Sequence, residues 1–133
     1  MTLAHWCLLV ACVLPIACTG IAKAGMFSVS PKQGGYDNRD PRAWLARQSG
    51  YRARANAAQA NSFEALPLFI AAVLAAHQVQ GPSALVDTLA LAFVVLRVAY
   101  IALYVADRAL ARSAVWTLGY FACFGIFVSP LFR

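Results

Sequence analysis

Four long apolar runs constrain what this chain can fold into. Positions 1–22, 51–79, 83–106 and 113–132 are each long and apolar enough to cross a bilayer as an α-helix. Lipid offers backbone groups no hydrogen-bond partners, so such runs must satisfy their own as helices. Composition agrees. Hydrophobic residues make up 62% of the 133 positions and charged residues 12%, against roughly 45–50% and 25% in soluble domains. A soluble fold this small leaves too large a share of its surface exposed to hide that apolar content. The expectation is all-α: one integral membrane domain, 1–133, built as a four-helix bundle. Disorder, a collagen-like fibre and a disulfide-stapled module are excluded on the same numbers.

The first run has no charge beyond His5. Ala22-Lys23-Ala24 faintly resembles a cleavage site and Leu9-Val10-Ala11-Cys12 a lipoprotein box. However, no positive n-region precedes the run, and only eight residues come before the cysteine-bearing box. It reads as a retained first helix, about 2–22. The polar stretch 23–50 begins as loop, with Pro31, Gly34 and Gly35. Asp40-Pro41 then supplies an N-cap and a proline at the first helical position, which opens a short helix over about 41–48. Trp44 on it is expected at the interfacial level. Pro67 interrupts the second span, Gly81-Pro82-Ser83 separates the second from the third, and 107–112 reads as a basic turn.

The net charge is +6, from 11 Lys+Arg against 5 Asp+Glu. In a soluble domain that balance would suggest nucleic acid. Here the cations flank the spans, so membrane orientation explains them and no nucleic-acid partner is expected. Lys23, Lys32, Arg39, Arg42, Arg47, Arg52 and Arg54 lie in or beside the first loop, and Arg108 and Arg112 beside the third. The other side has only Arg133. The positive-inside rule places loops 23–50 and 107–112 in the cytoplasm and both termini outside, in a multi-pass protein (the inner membrane in a bacterial cell). Cys7, Cys12 and Cys18 fall in the first run and Cys123 in the last. With no CxxC pair and no His/Cys cluster at ligand spacing, no metal site is expected. His5, His77 and Asp87 sit towards the outer ends, where a structural or solvated role suffices.

Charges inside the spans carry the functional information. Glu64 lies ten residues beyond Arg54 and Arg97 ten residues before Asp107, which puts each about 15 Å into the membrane. An unpaired charge at that depth costs at least a few kcal/mol, so the two are expected to pair, within a subunit or across an interface. At 100° per residue, Arg54, Asn61 and Glu64 fall within about 80° on the second span. Arg97, Tyr100, Tyr104 and Arg108 do the same on the third. Each stripe must face the other or a cavity. Polar glue between helices is one reading and a binding site the other.

The segment Ala58-Gln59-Ala60-Asn61-Ser62-Phe63-Glu64-Ala65-Leu66-Pro67-Leu68-Phe69 resembles the second-helix signature of the MAPEG proteins, the membrane-associated proteins of eicosanoid and glutathione metabolism. Its Asn-x-x-Glu-x-x-Pro core matches the leukotriene-synthase branch in spacing. Arg97-Val98-Ala99-Tyr100-Ile101-Ala102-Leu103-Tyr104 resembles the family's Arg-x-x-(Tyr/His)-x-x-x-Tyr segment. Arg108-Ala109-Leu110-Ala111-Arg112-Ser113 is similar to the segment around the reactive arginine of microsomal prostaglandin E synthase.

The resemblance implies a homotrimer of four-helix subunits that binds glutathione, as co-substrate, between neighbours near the cytoplasmic face. By that match Asn61 and Glu64 contact glutathione, while Arg97, Tyr100 and Tyr104 hold its carboxylates and backbone. Arg112 falls near the thiol, with Arg108 as the alternative one helical turn away. A cation beside sulfur lowers the thiol pKa, and the thiolate is the nucleophile. One departure stands out: Ala57 occupies the position, four before the Asn, where the family usually has Arg. Arg54, one turn further out on the same face, is the candidate replacement for that carboxylate clamp.

The expected function is therefore a membrane-bound, glutathione-dependent transferase or peroxidase acting on a lipophilic electrophile or hydroperoxide that arrives through the lipid. A non-catalytic lipid-binding or scaffold protein of the same fold would keep the stripes and need no arginine at the thiol. A small multidrug-type transporter would instead leave Glu64 to titrate alone, and Arg97 at equal depth argues against that.

Overall fold

The computed structural model describes residues 1–132 and is helical, with no strand among the described residues. Its elements are α1 (Leu3–Lys23), α2 (Pro41–Ala46), α3 (Gly50–Gln80), α4 (Ala84–Val105) and α5 (Ala109–Val128), with 3-10 turns at Pro31–Gln33 and Ser129–Phe132. α1, α3, α4 and α5 (the last extended through Phe132) are long and apolar enough to cross a membrane. The 31 residues of α3 span about 46 Å, well beyond the ~30 Å hydrocarbon core. It continues through Pro67 and packs on each of the other three spans.

Small residues set how closely the helices approach. α1 buries Ala4, Cys7, Ala11, Pro15, Cys18 and Ala22, at steps of three or four residues. α3 answers with Ala55, Ala58, Ser62, Ala65 and Phe69 at the same steps. Lipid is as apolar as the helices, so close backbone packing rather than the hydrophobic effect holds such a seam. The interior divides in two. A larger cluster towards the termini centres on Phe69 and Phe93, whose rings stack 4.0 Å apart. A smaller one towards the loop side contains Cys18, Ala58, Tyr100 and Ile101. At the level between them sit the buried polar residues Ser62 and Arg97.

At the terminal end, side chains without evident partners in the sequence come together. Asp87 Oδ1 accepts the Ala4 N–H at 2.8 Å, which caps α1 from a neighbouring helix. The rings of His5 and His77 meet edge to face at 4.7 Å, with the Thr2 hydroxyl 2.8 Å from one and 3.1 Å from the other.

The loop 24–49 folds on itself. Tyr36 N–H bonds Met26 O at 3.0 Å, and Trp44 Nε1 donates to Gly34 O at 3.2 Å. Asp40 Oδ1 accepts from Ala43 N and caps α2. Trp44 is 2% exposed and packs against Tyr36, so it anchors the loop. The turn after α4 is shorter than the basic turn expected at 107–112. α5 begins at Ala109, not near 113, and only 106–108 separate the two helices. Asp107 makes the reversal at φ 61, and Ala109-Leu110-Ala111, all strong helix formers, wind on directly.

Candidate functional site

Both stripes run towards the loop-side end of the bundle, but they do not face each other. Arg97 is buried at 4% exposure. Its Nη2 donates to Ser62 Oγ at 3.1 Å, and that hydroxyl donates in turn to Ala58 O at 2.8 Å. The guanidinium lies over the Tyr100 ring, 4.2 Å from its centroid, an arrangement in which the ring face takes up part of a charge that lipid will not. One turn on, Tyr100 and Tyr104 pack edge to face at 5.6 Å. The Arg112 guanidinium then lies 4.1 Å over the Tyr104 ring. The result is a ladder, Arg97–Tyr100–Tyr104–Arg112, rising from the buried interior to the membrane surface.

At its outer end the ladder opens into a cavity of about 200 Å³ lined by Tyr100, Tyr104, Arg112, Ser113 and Trp116. The Arg112 side chain makes no hydrogen bond among the described residues, so its guanidinium donors remain available to an anion. Ser113 and Trp116 are the lining residues that sequence reasoning missed. The signal was present: Arg112, Trp116 and Tyr120 recur every fourth residue on one face of α5, and Trp116 packs on Tyr120 at 4.4 Å.

The remaining expected residues stand apart. Arg108 is exposed at the N-cap of α5 and does not join the ladder. Arg54 Nε donates to Val105 O at 3.0 Å, and its Nη1 lies 4.0 Å from Asp107 Oδ2. It thereby caps the C-terminal end of α4. Asn61 Nδ2 donates to Glu64 Oε2 at 3.2 Å. Glu64 is exposed. The expected Glu64–Arg97 pair is not made within the subunit: among the described residues the one ion pair is Arg54–Asp107. Equal depth is not equal azimuth. Ser62 is the α3 residue that faces Arg97, and Glu64, two positions on, is turned about 200° away. Asn61 Oδ1 is buried within the subunit without a partner, while Glu64, to which its Nδ2 donates, stands exposed on α3.

A bundle of four membrane-length helices, with a cation- and phenol-lined cavity at one end, defines an integral, multi-pass membrane protein. The chain belongs to the MAPEG family, whose model matches residues 3–132, nearly the whole length. No curated protein and no solved structure matches it. Membership supports a glutathione-linked, transferase- or peroxidase-like kind of function at the membrane.

Proposed function

We propose that the protein is a membrane-bound glutathione transferase or peroxidase that acts on lipophilic electrophiles or hydroperoxides. The observation that carries this reading is the ladder ending on Arg112, a cation with free donors at the mouth of a cavity. The residues suit the tripeptide. Arg112 offers a cation for its sulfur, Tyr100 and Tyr104, held by the buried Arg97 beneath them, offer phenols for its backbone and carboxylates, and Glu64 offers a carboxylate for its ammonium.

Because Glu64 and Arg97 lie on different faces of one subunit, the reading places glutathione between copies in a homotrimer. Asn61 and Glu64 of one copy then meet the ladder of its neighbour. Arg112 beside the sulfur favours the thiolate. The thiolate attacks the electrophilic carbon, a C–S bond forms, and the leaving group departs with the electron pair of the bond it breaks. With a hydroperoxide, the thiolate attacks the terminal oxygen and the O–O bond breaks. The alkoxide takes a proton to give the alcohol, and a second glutathione converts the resulting sulfenic acid to disulfide and water.

A second reading, a non-catalytic lipid-binding or scaffold protein, is favoured by one feature. Between α1 and α4 lies an apolar groove of about 410 Å³, walled by Leu14, Ala17, Ile21, Val98, Ile101 and Val105. A glutathione titration of the detergent-solubilised protein, followed by ultraviolet absorbance of the thiolate, separates the two. The transferase reading expects a saturable thiolate band that Arg112→Ala abolishes. Binding without a band favours the scaffold, and absence of binding rejects glutathione as the ligand.

A further inference from the structure

The folded loop 24–49 uses its acids and leaves its bases free. Asp37 Oδ1 accepts from Arg39 N at 2.9 Å and Asp40 Oδ1 from Ala43 N at 3.1 Å, so both carboxylates are engaged by backbone. Two neighbouring cations are engaged as well. Lys23 Nζ donates to Tyr36 OH at 2.8 Å and lies over that ring, while Arg52 Nη1 donates to Ala22 O and Ala24 O. Four other cations have no such role. Lys32, Arg39, Arg42 and Arg47 are exposed, and no hydrogen bond or ion pair holds their side chains. Beside them Phe27 is 71% exposed, its ring 5.1 Å from Tyr36.

Topology alone does not ask for this. The positive-inside bias acts on the chain as it inserts and needs no folded loop. Yet this loop is pinned by Trp44, by the Tyr36–Met26 backbone bond and by the aromatic row Phe27–Tyr36–Trp44. It is a shaped surface with a fixed excess of positive charge and a protruding aromatic ring, tethered at both ends to membrane-length helices. Anionic headgroups attract clustered Lys and Arg within a Debye length, and aromatic rings settle at the headgroup level.

We propose that Lys32, Arg39, Arg42, Arg47 and Phe27 form a docking surface for anionic phospholipid headgroups of the leaflet on which the loop lies. This surface is separate from the Arg112 cavity and does not depend on what that cavity binds.

The test uses the whole protein, released from detergent in a mass spectrometer under native conditions, with phosphatidylglycerol and phosphatidylcholine of equal chain length as competing probes. The wild type is expected to retain phosphatidylglycerol about tenfold over phosphatidylcholine, and a tenfold rise in salt before analysis brings it close to parity. The quadruple variant Lys32→Gln, Arg39→Gln, Arg42→Gln, Arg47→Gln is expected near parity at low salt. It keeps Lys23, Arg52, Arg54, Arg108 and Arg112, so the bias that orients the chain survives. A second variant, Arg39→Lys with Arg42→Lys and Arg47→Lys, keeps the charge and should keep the preference; its loss would overturn the proposal. So would equal retention of both lipids by the wild type, or an undiminished preference in the quadruple variant. Displacement of the lipid by glycerol phosphate alone, at matched ionic strength, would overturn docking to a membrane surface.

Discussion

Arg97 shows how a charge is tolerated where lipid and packed helices surround it. It gives one hydrogen bond to Ser62 Oγ and rests on the face of Tyr100, and no carboxylate among the described residues pairs with it. Ser62 thus acts twice, as acceptor for the guanidinium and as donor to Ala58 O. Replacing it with Ala leaves a buried guanidinium donor unmade, at a cost of about 1–3 kcal/mol. The thermal midpoint of Ser62→Ala in detergent should therefore fall by several degrees. An unchanged midpoint would show that the Tyr100 ring alone is enough. Depth along a helix could be counted from the sequence, and so Arg97 was placed at the right level. Its partner was not legible, because periodicity fixes which residues share a face of one helix and says nothing about which face the next helix meets. The partners of Trp44 in the loop, the Gly34 carbonyl and the Tyr36 ring, were no more legible from spacing.

Among the elements, α1 depends on α4 for its beginning. Its first backbone donors have no acceptor within the helix, and Asp87 reaches across to the one at Ala4. A carboxylate there also complements the positive end of the helix dipole. Asp87→Ala should cost about 1 kcal/mol, and Asp87→Asn less, because an amide oxygen still accepts. Hydrogen exchange at the Ala4 amide should accelerate in the first variant; unaltered protection there would show that the cap contributes nothing. The sequence placed Asp87 near the outer end but could not identify this acceptor role, which joins residues 83 positions apart. The spans themselves were readable because apolar length is a local property. The turn between α4 and α5 was harder. Arg108 and Arg112 made 107–112 look like loop, while the reversal is made by the single left-handed Asp107. With α5 starting at Ala109, Arg112 lands under Tyr104 and Arg108 is left outside.

The whole subunit leaves one account open at its surface, and that surface bears on assembly. Asn61 and Glu64 form a hydrogen-bonded pair on α3, with Glu64 exposed and Asn61 Oδ1 unsatisfied. If lipid covered this face, replacing Glu64 with Leu would remove a charge from the hydrocarbon and stabilise the protein by about 3 kcal/mol on insertion scales. If a second copy covers it, as proposed for the trimer, the same change removes a polar contact between subunits and leaves the groups opposite unpaired, which is costly in a low-dielectric interface. The two cases predict opposite signs. Glu64→Leu is therefore expected to lower the thermal midpoint and to shift the mass of the detergent-solubilised complex from three chains towards one. Glu64→Gln keeps the hydrogen-bonding shape and should retain more of the assembly. A Glu64→Leu protein that is more stable than the wild type and unchanged in mass would place this face against lipid. It would also remove the intersubunit arrangement on which the proposed glutathione site depends.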